Sequence, residues 1–158
     1  MSNVINMSKN QRIDMTKEDG TPIKNFFIGA NWDQNRYSGE AEIDFDINGF
    51  LTDESRKVVY PNDIVNYKTY GDGSNYPWID FSGDNTNGDD SKGIEFNGRH
   101  YDEGFIVYGD SFPKDKNEFT VCLTIFRAIQ RLQNFGMVNN AKVTICDHDN
   151  PNEKVWEY

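Results

Sequence analysis

A chain of 158 residues has the length of one domain with a sizeable core. Its 26 acidic against 16 basic residues give a formal charge of −10, the wrong sign for binding phosphates, so nucleic acid and anionic membrane surfaces are not expected partners, whereas cations and basic surfaces are. The opening MSNVINMSKNQRIDMTKEDG holds no apolar run of signal-peptide length and no later run could span a bilayer, which predicts a cytoplasmic protein without membrane insertion.

Turn signals punctuate the chain at Asp19-Gly20, Gly71-Asp72-Gly73, Gly83-Asp84-Asn85, Asn97-Gly98 and Pro151. Between them, short segments rich in Val, Ile, Phe, Tyr and Thr predict strands at 24–29, 42–51, 64–68, 78–81, 105–108, 119–126 and 141–146. The region 82–101 is polar and Gly-rich and reads as one long loop, of the kind that carries function. In RAIQRLQNFG, Ala128, Ile129 and Leu132 recur at helical spacing and Gly136 stands where a C-cap would, which predicts a short helix between two strands. The sum is a mainly β protein, an antiparallel β-sandwich with one or two short helices, in a single domain over 1–158.

The remaining chemistry is sparse. Cys122 and Cys146 lie in apolar alternating segments and read as reduced, buried thiols, with no spacing for a zinc cluster. His100 and His148 belong to no metal or nucleophile motif and read as surface residues, while Trp32 and Trp78 read as core or rim.

What stands out is acid. DFDINGFLTDES, 44–55, opens with the D-x-D-x-N-G spacing of an EF-hand loop. Its twelfth position is Ser55, which cannot give the bidentate carboxylate that the loop needs. Ile43, Phe45, Ile47 and Leu51 alternate with Glu42, Asp44, Asp46 and Asn48, the period of a half-buried strand and not of an entering helix. The polar face of that strand is either solvated or gathered round a hard cation. Two further acidic groups follow, SGDNTNGDD at 82–90 and the Asp102-Glu103 pair in HYDEG. By itself the first is a turn former, and the second is uninformative. Paired acids also admit a hydrolase, with one acid of raised pKa facing a cleft.

Taken in order, these groups resemble the TerD family of tellurium-resistance and stress-response proteins. INMSKNQRIDMTKEDG is similar to the family's opening strand and turn, IGANWDQN to its G-x-x-W-D segment, and EIDFDINGFLTDES to its run of alternating acids. FSGDNTNG matches S-G-D-N-x-x-G, FPKDKNEFTVCLTIF resembles the strand after a V-P, and QNFGMVNNAKVTICD resembles the signature Q-N-F-G-x-V-x-N-A and its following strand.

The resemblance implies a compact β-sandwich that binds one or two Ca²⁺ ions through clustered acids. It acts without enzymatic activity in tellurite resistance and the general stress response, through protein partners in a calcium-dependent assembly. Carried over by position, Asp44 and Asp46 fall on the paired aspartates, Asp84 and Asn85 on G-D-N, Asp102 and Glu103 on D-D-E, and Asp33 on the W-D aspartate; Asp89 and Asp90 share the Asp84 loop. This chain departs from the pattern with Glu42 for an Asp, Tyr101 for the first acid of D-D-E, a longer loop over 86–100, and Phe126-Arg127 for a His-Asp type of pair. Tyr101 and Arg127 subtract negative charge near the expected ligands. The family also continues past EKVWEY with another strand pair, so the last strand here is expected to be an exposed edge. A metal-free scaffold that keeps the fold is the remaining alternative.

Overall fold

In the computed structural model, which describes residues 3–33, 42–88 and 91–158, eleven strands form three sheets. The large sheet has the order β1 (Asn3–Asn6), β11 (Lys154–Glu157), β10 (Lys142–Asp147), β2 (Asn25–Asn31), β8 (Glu103–Tyr108), β5 (Ile79–Phe81). Its pairs are antiparallel except β1 with β11. The small sheet is β4 (Ile64–Val65), β3 (Phe45–Thr52), β9 (Glu118–Ile125), and a separate hairpin joins β6 (Ile94–Phe96) to β7 (Arg99–Tyr101).

The two larger sheets face each other across the main core. Ile28 and Ala30 of β2 and Phe105 and Val107 of β8 meet Phe45, Ile47 and Leu51 of β3. The other face of the large sheet is buried too. Phe27, Cys146 and Val155 lie under the β6–β7 hairpin, whose Phe96 stacks on Phe27 with ring centroids 4.0 Å apart. A strand covered on both sides needs no polar face, which is why Phe26-Phe27-Ile28 is continuous instead of alternating. Gly29 belongs to the same logic: a Cβ there would run into the Tyr101 ring, so glycine lets the hairpin close over β2. Emptying the fully buried Phe27 site with alanine costs about 3–5 kcal/mol.

The sandwich and its strands follow the sequence expectation, with differences at four places. The region 82–101 is not one loop. Asn97 and Gly98 both take positive φ (51° and 70°), the conformation of a tight hairpin turn, and they join β6 to β7. The strand expected at 64–68 stops at Val65, because the Asn66 side chain accepts the N–H groups of Lys68 and Thr69 and turns the chain. The helix is only Ala128–Arg131 (α1), closed by Leu132 in the left-handed region; Gly136 sits in the next 3₁₀ turn and caps nothing. The last strand is not an edge, since β11 lies between β10 and β1. Among the described residues the long edge strand of the small sheet is β9, with the two-residue β4 at the other edge, and β9 borders an apolar cleft of about 670 Å³ between the sheets. Cys146 is buried as expected; Cys122, on that edge strand, is only half-buried, and both thiols are free. His100 and His148 are half-buried, each against a carboxylate, and not surface residues.

Candidate metal centre

Phe45, Ile47 and Leu51 point into the core, so Asp44, Asp46 and Asn48 share the opposite face of the β3 segment. That face is not solvated: Asp44, Asp46 and Asn48 are 7%, 6% and 9% exposed. The half-buried strand of the sequence is buried on both sides. Asn48 is held on three sides, donating to the Asp46 carbonyl and the Thr124 hydroxyl and accepting from Asn66. Beyond β5, Gly83 at φ +92 swings the loop so that Asp84 reaches the same place. One carboxylate oxygen from each of Asp44, Asp46 and Asp84 lies within 4.8 Å of the others. Two oxygens on one Ca²⁺, each at ~2.4 Å, can be at most ~4.8 Å apart, so the spacing suits a shared ion.

The electrostatics point the same way. Burial, then the Asp84 charge, pushes Asp44 up to about 6. Burial, then Asp44 and Asp84, pushes Asp46 up to about 7. Asp44 Oδ1 is buried with no hydrogen-bond partner among the described residues. A buried carboxylate oxygen without a donor is costly, and a cation removes that cost together with the repulsion among the three acids. The donor set is oxygen alone, with no thiolate or imidazole, which favours a hard ion.

The other expected ligands are engaged with backbone N–H groups or other side chains. Glu103, 1% exposed, accepts the Ile47 N–H at Oε2 (2.8 Å) and the Asn85 N–H at Oε1 (3.0 Å). Burial pushes it up to about 8, against the pull of those two N–H groups. Asp102 Oδ2 accepts the Trp32 N–H at 2.9 Å, extending the pairing of β2 with β8 by a side chain. Asn85 is fully buried and donates to Asp102 Oδ1 at 3.4 Å. Asp33 is held by Asn140 at 2.8 Å. Asp33 and Asp102 line a separate cavity with Trp32 and His100, and among the described residues only Asp44, Asp46 and Asp84 of the expected set form the acidic cluster. Asp89 and Asp90 lie outside the described residues. Tyr101 packs edge-on to Phe27 in the core.

The rim is basic, which the motifs did not show. Arg131 donates to the Glu42 carbonyl and, with Lys92, draws the Asp44 pKa down against burial; Lys68 does so for Asp46. Glu42 itself is exposed. Helical spacing was the only sequence signal near Arg131, and no sequence signal marked the two lysines.

Comparison with known proteins agrees with this architecture. The TerD domain profile matches residues 3–158. The chain is 36% identical over 149 residues to the uncharacterized protein YceE of Bacillus subtilis (strain 168), covering 94% of this chain and 72% of that one. It is 33% identical over 156 residues to general stress protein 16U of the same organism, covering 98% and 74%. The fold resembles the crystal structure of a homologue of telluride resistance protein (TerD) from Streptomyces coelicolor A3(2), with a TM-score of 0.59 at 17% identity; the match spans 79% of this chain and 66% of that one.

Proposed function

The chain belongs to the TerD domain family, and from that premise we propose that it is a calcium-binding module of the stress response, with the ion held by Asp44, Asp46 and Asp84. The observation that carries the proposal is the buried, partnerless Asp44 Oδ1 inside a three-carboxylate cluster of calcium-compatible spacing. A bound calcium supplies two positive charges where three acids converge.

The protein's own residues do the rest. Asp44, just before β3, and Asp46 within it present adjacent carboxylates, and Asp84 brings the loop after β5 onto them. Glu103 fixes that loop at Asn85 and β3 at Ile47, so that loop and strand are held in one arrangement. Binding then stabilises the folded state, by about 2.7 kcal/mol at a hundred times Kd, and orders the loop as a surface for protein partners. The name of the general stress protein supports a stress-linked role, and the telluride-resistance name of the structural neighbour supports the link to tellurite. Among the described residues no helix is long and apolar enough to cross a membrane, and the proposal places the protein in the cytoplasm.

A hydrolytic role fits less well. Glu103 has the raised pKa that a general acid needs, but both of its oxygens are occupied by backbone N–H groups and it does not face a cleft. The engagement of Asp33, Asp102 and Asn85 with other groups favours one ion over two. Calorimetric titration with calcium tests the proposal. One ion should bind to the wild type and none to Asp44→Asn/Asp46→Asn; a folded wild type that gives no heat and no melting shift at millimolar calcium refutes it.

A further inference from the structure

The turn between β9 and β10 is shaped unlike a core element. Ile129 and Leu132 recur at helical spacing, yet they are 86% and 84% exposed, and α1 has no buried residue. They are the most exposed large apolar side chains among the described residues. Arg127 and Leu132, at either end of α1, both sit in the left-handed region, which non-glycine residues avoid. Strain of this kind, holding two aliphatic chains in water, calls for something that receives them.

The charge around them is the reverse of the molecule's. From Phe119 to Cys146 the chain has no Asp or Glu, although it carries 26 of them in 158 residues. The guanidinium groups of Arg127 and Arg131 lie 5.0 and 5.5 Å from the centre of the Phe126 ring. Phe126 meets Tyr67 edge-on, and Lys68 lies 5.3 Å over that second ring. Three cations thus surround an aromatic pair at the start of the turn that carries the two exposed aliphatics. The turn is also fixed to the acidic pocket: Phe126 N–H donates to the Asp44 carbonyl at 2.8 Å, and Arg131 and Gln133 donate to the Glu42 carbonyl.

We propose that this turn is a docking tip for anionic phospholipid surfaces, with Ile129 and Leu132 entering the interfacial layer and Arg127, Arg131 and Lys68 meeting the headgroup phosphates. The residue types match the depth profile of such a surface, aliphatic at the tip and basic just behind it. The aliphatics project and do not line a groove, which favours a deformable lipid layer over a protein partner. The net charge of −10 opposes approach to an anionic membrane, and the acidic pocket, tied to the turn through the Asp44 carbonyl, holds part of that charge. Calcium in the pocket offsets two of its three negative charges. Three carboxylates also fill only part of a six- to eight-oxygen shell, leaving positions that lipid phosphate oxygens can take. The calcium dependence rests on the function proposed above; the docking itself rests on the turn.

Co-sedimentation of the 158-residue protein with vesicles of mixed phosphatidylcholine and phosphatidylserine, or phosphatidylcholine alone, tests this. Binding is expected to the mixed vesicles with calcium, and not with chelator or with phosphatidylcholine alone. Ile129→Ser/Leu132→Ser should abolish it while leaving the melting temperature and its calcium shift unchanged, because both side chains are exposed. Arg127→Asn and Arg131→Gln should each weaken it roughly fivefold. A normal calcium shift without sedimentation overturns the docking tip and leaves the cation site standing. Calcium-independent sedimentation without a calcium shift does the reverse. Wild-type sedimentation of the serine variant, or calcium-dependent self-association in place of vesicle binding, also overturns the docking tip.

Discussion

Glu103 accepts the backbone N–H of Ile47 at 2.8 Å across a separation of 56 residues. The reason lies in the small sheet. On this edge of β3 the Leu51 N–H reaches the Asp63 carbonyl, and β4 pairs with Gly49 and Phe50, but β4 ends before it can serve Ile47. A carboxylate from the large sheet supplies the missing acceptor. The same side chain takes the Asn85 N–H, so Glu103 joins both sheets and the Asp84 loop at one point.

Glu103→Ala is therefore expected to destabilise the protein by about 2–4 kcal/mol, since it strands two buried N–H groups. Glu103→Gln should cost less but not nothing, because its amide can accept from one N–H while turning a donor toward the other. Both should blunt the calcium response by loosening the Asp84 loop. Urea denaturation with and without calcium measures both effects; an unchanged midpoint in Glu103→Ala would remove its clamping role.

Asp46→Asn should raise stability in the absence of calcium, by roughly 1–3 kcal/mol at pH 8, because it removes a buried charge that repels Asp44 and Asp84. In calcium the order should invert, with the wild type the more stable. Thermal melts in chelator and in calcium show whether the two curves cross.

Stability without metal should fall as pH rises from about 5 to 8. Asp44, Asp46 and Glu103 have folded-state values raised to about 6, 7 and 8 from ordinary values of 3.8, 3.8 and 4.5. The folded state binds more protons than the unfolded one between those limits. Their contribution is thus full below about 4 and is lost as pH passes through each raised value in turn. Calcium should flatten this slope and bind more tightly at pH 8 than at pH 6, which melting curves across the range record.

The two thiols should react at different rates. Burial, then the Asp147 charge, pushes Cys146 up to about 12, whereas Cys122 is half-buried on β9, an edge strand of the small sheet. At neutral pH a thiol reagent should label one cysteine quickly in the native state and the second only on unfolding. Mass spectrometry of labelled peptides should place the fast site at Cys122; fast labelling of Cys146 contradicts the packing of β10 under the hairpin.

By itself the sequence determined the β-sandwich, most of its strands, and a set of candidate ligands that contains the three acids of the cluster. Alternation along 43–51 and the Gly83-Asp84-Asn85 turn are local signals, and each residue's neighbours carry them. The Asn97-Gly98 turn was equally local and marked the hairpin, but the polar residues around it concealed two short strands that pair only because β2 needs a cover.

Tertiary structure alone decided which acids converge and which serve as scaffold. Asp46 and Glu103 are alike in type and in their place within acidic motifs. What separates them is the early end of β4, which leaves an Ile47 N–H that Glu103 alone is placed to satisfy. The direction of Ile129 and Leu132 is likewise invisible in a helical period, because periodicity gives which residues share a face and not whether any surface lies opposite it. Burial and hydrogen-bond satisfaction depend on what the rest of the chain places nearby, and for this protein they gather Asp44, Asp46 and Asp84 into one cluster and engage Glu103 with the backbone N–H groups of Ile47 and Asn85.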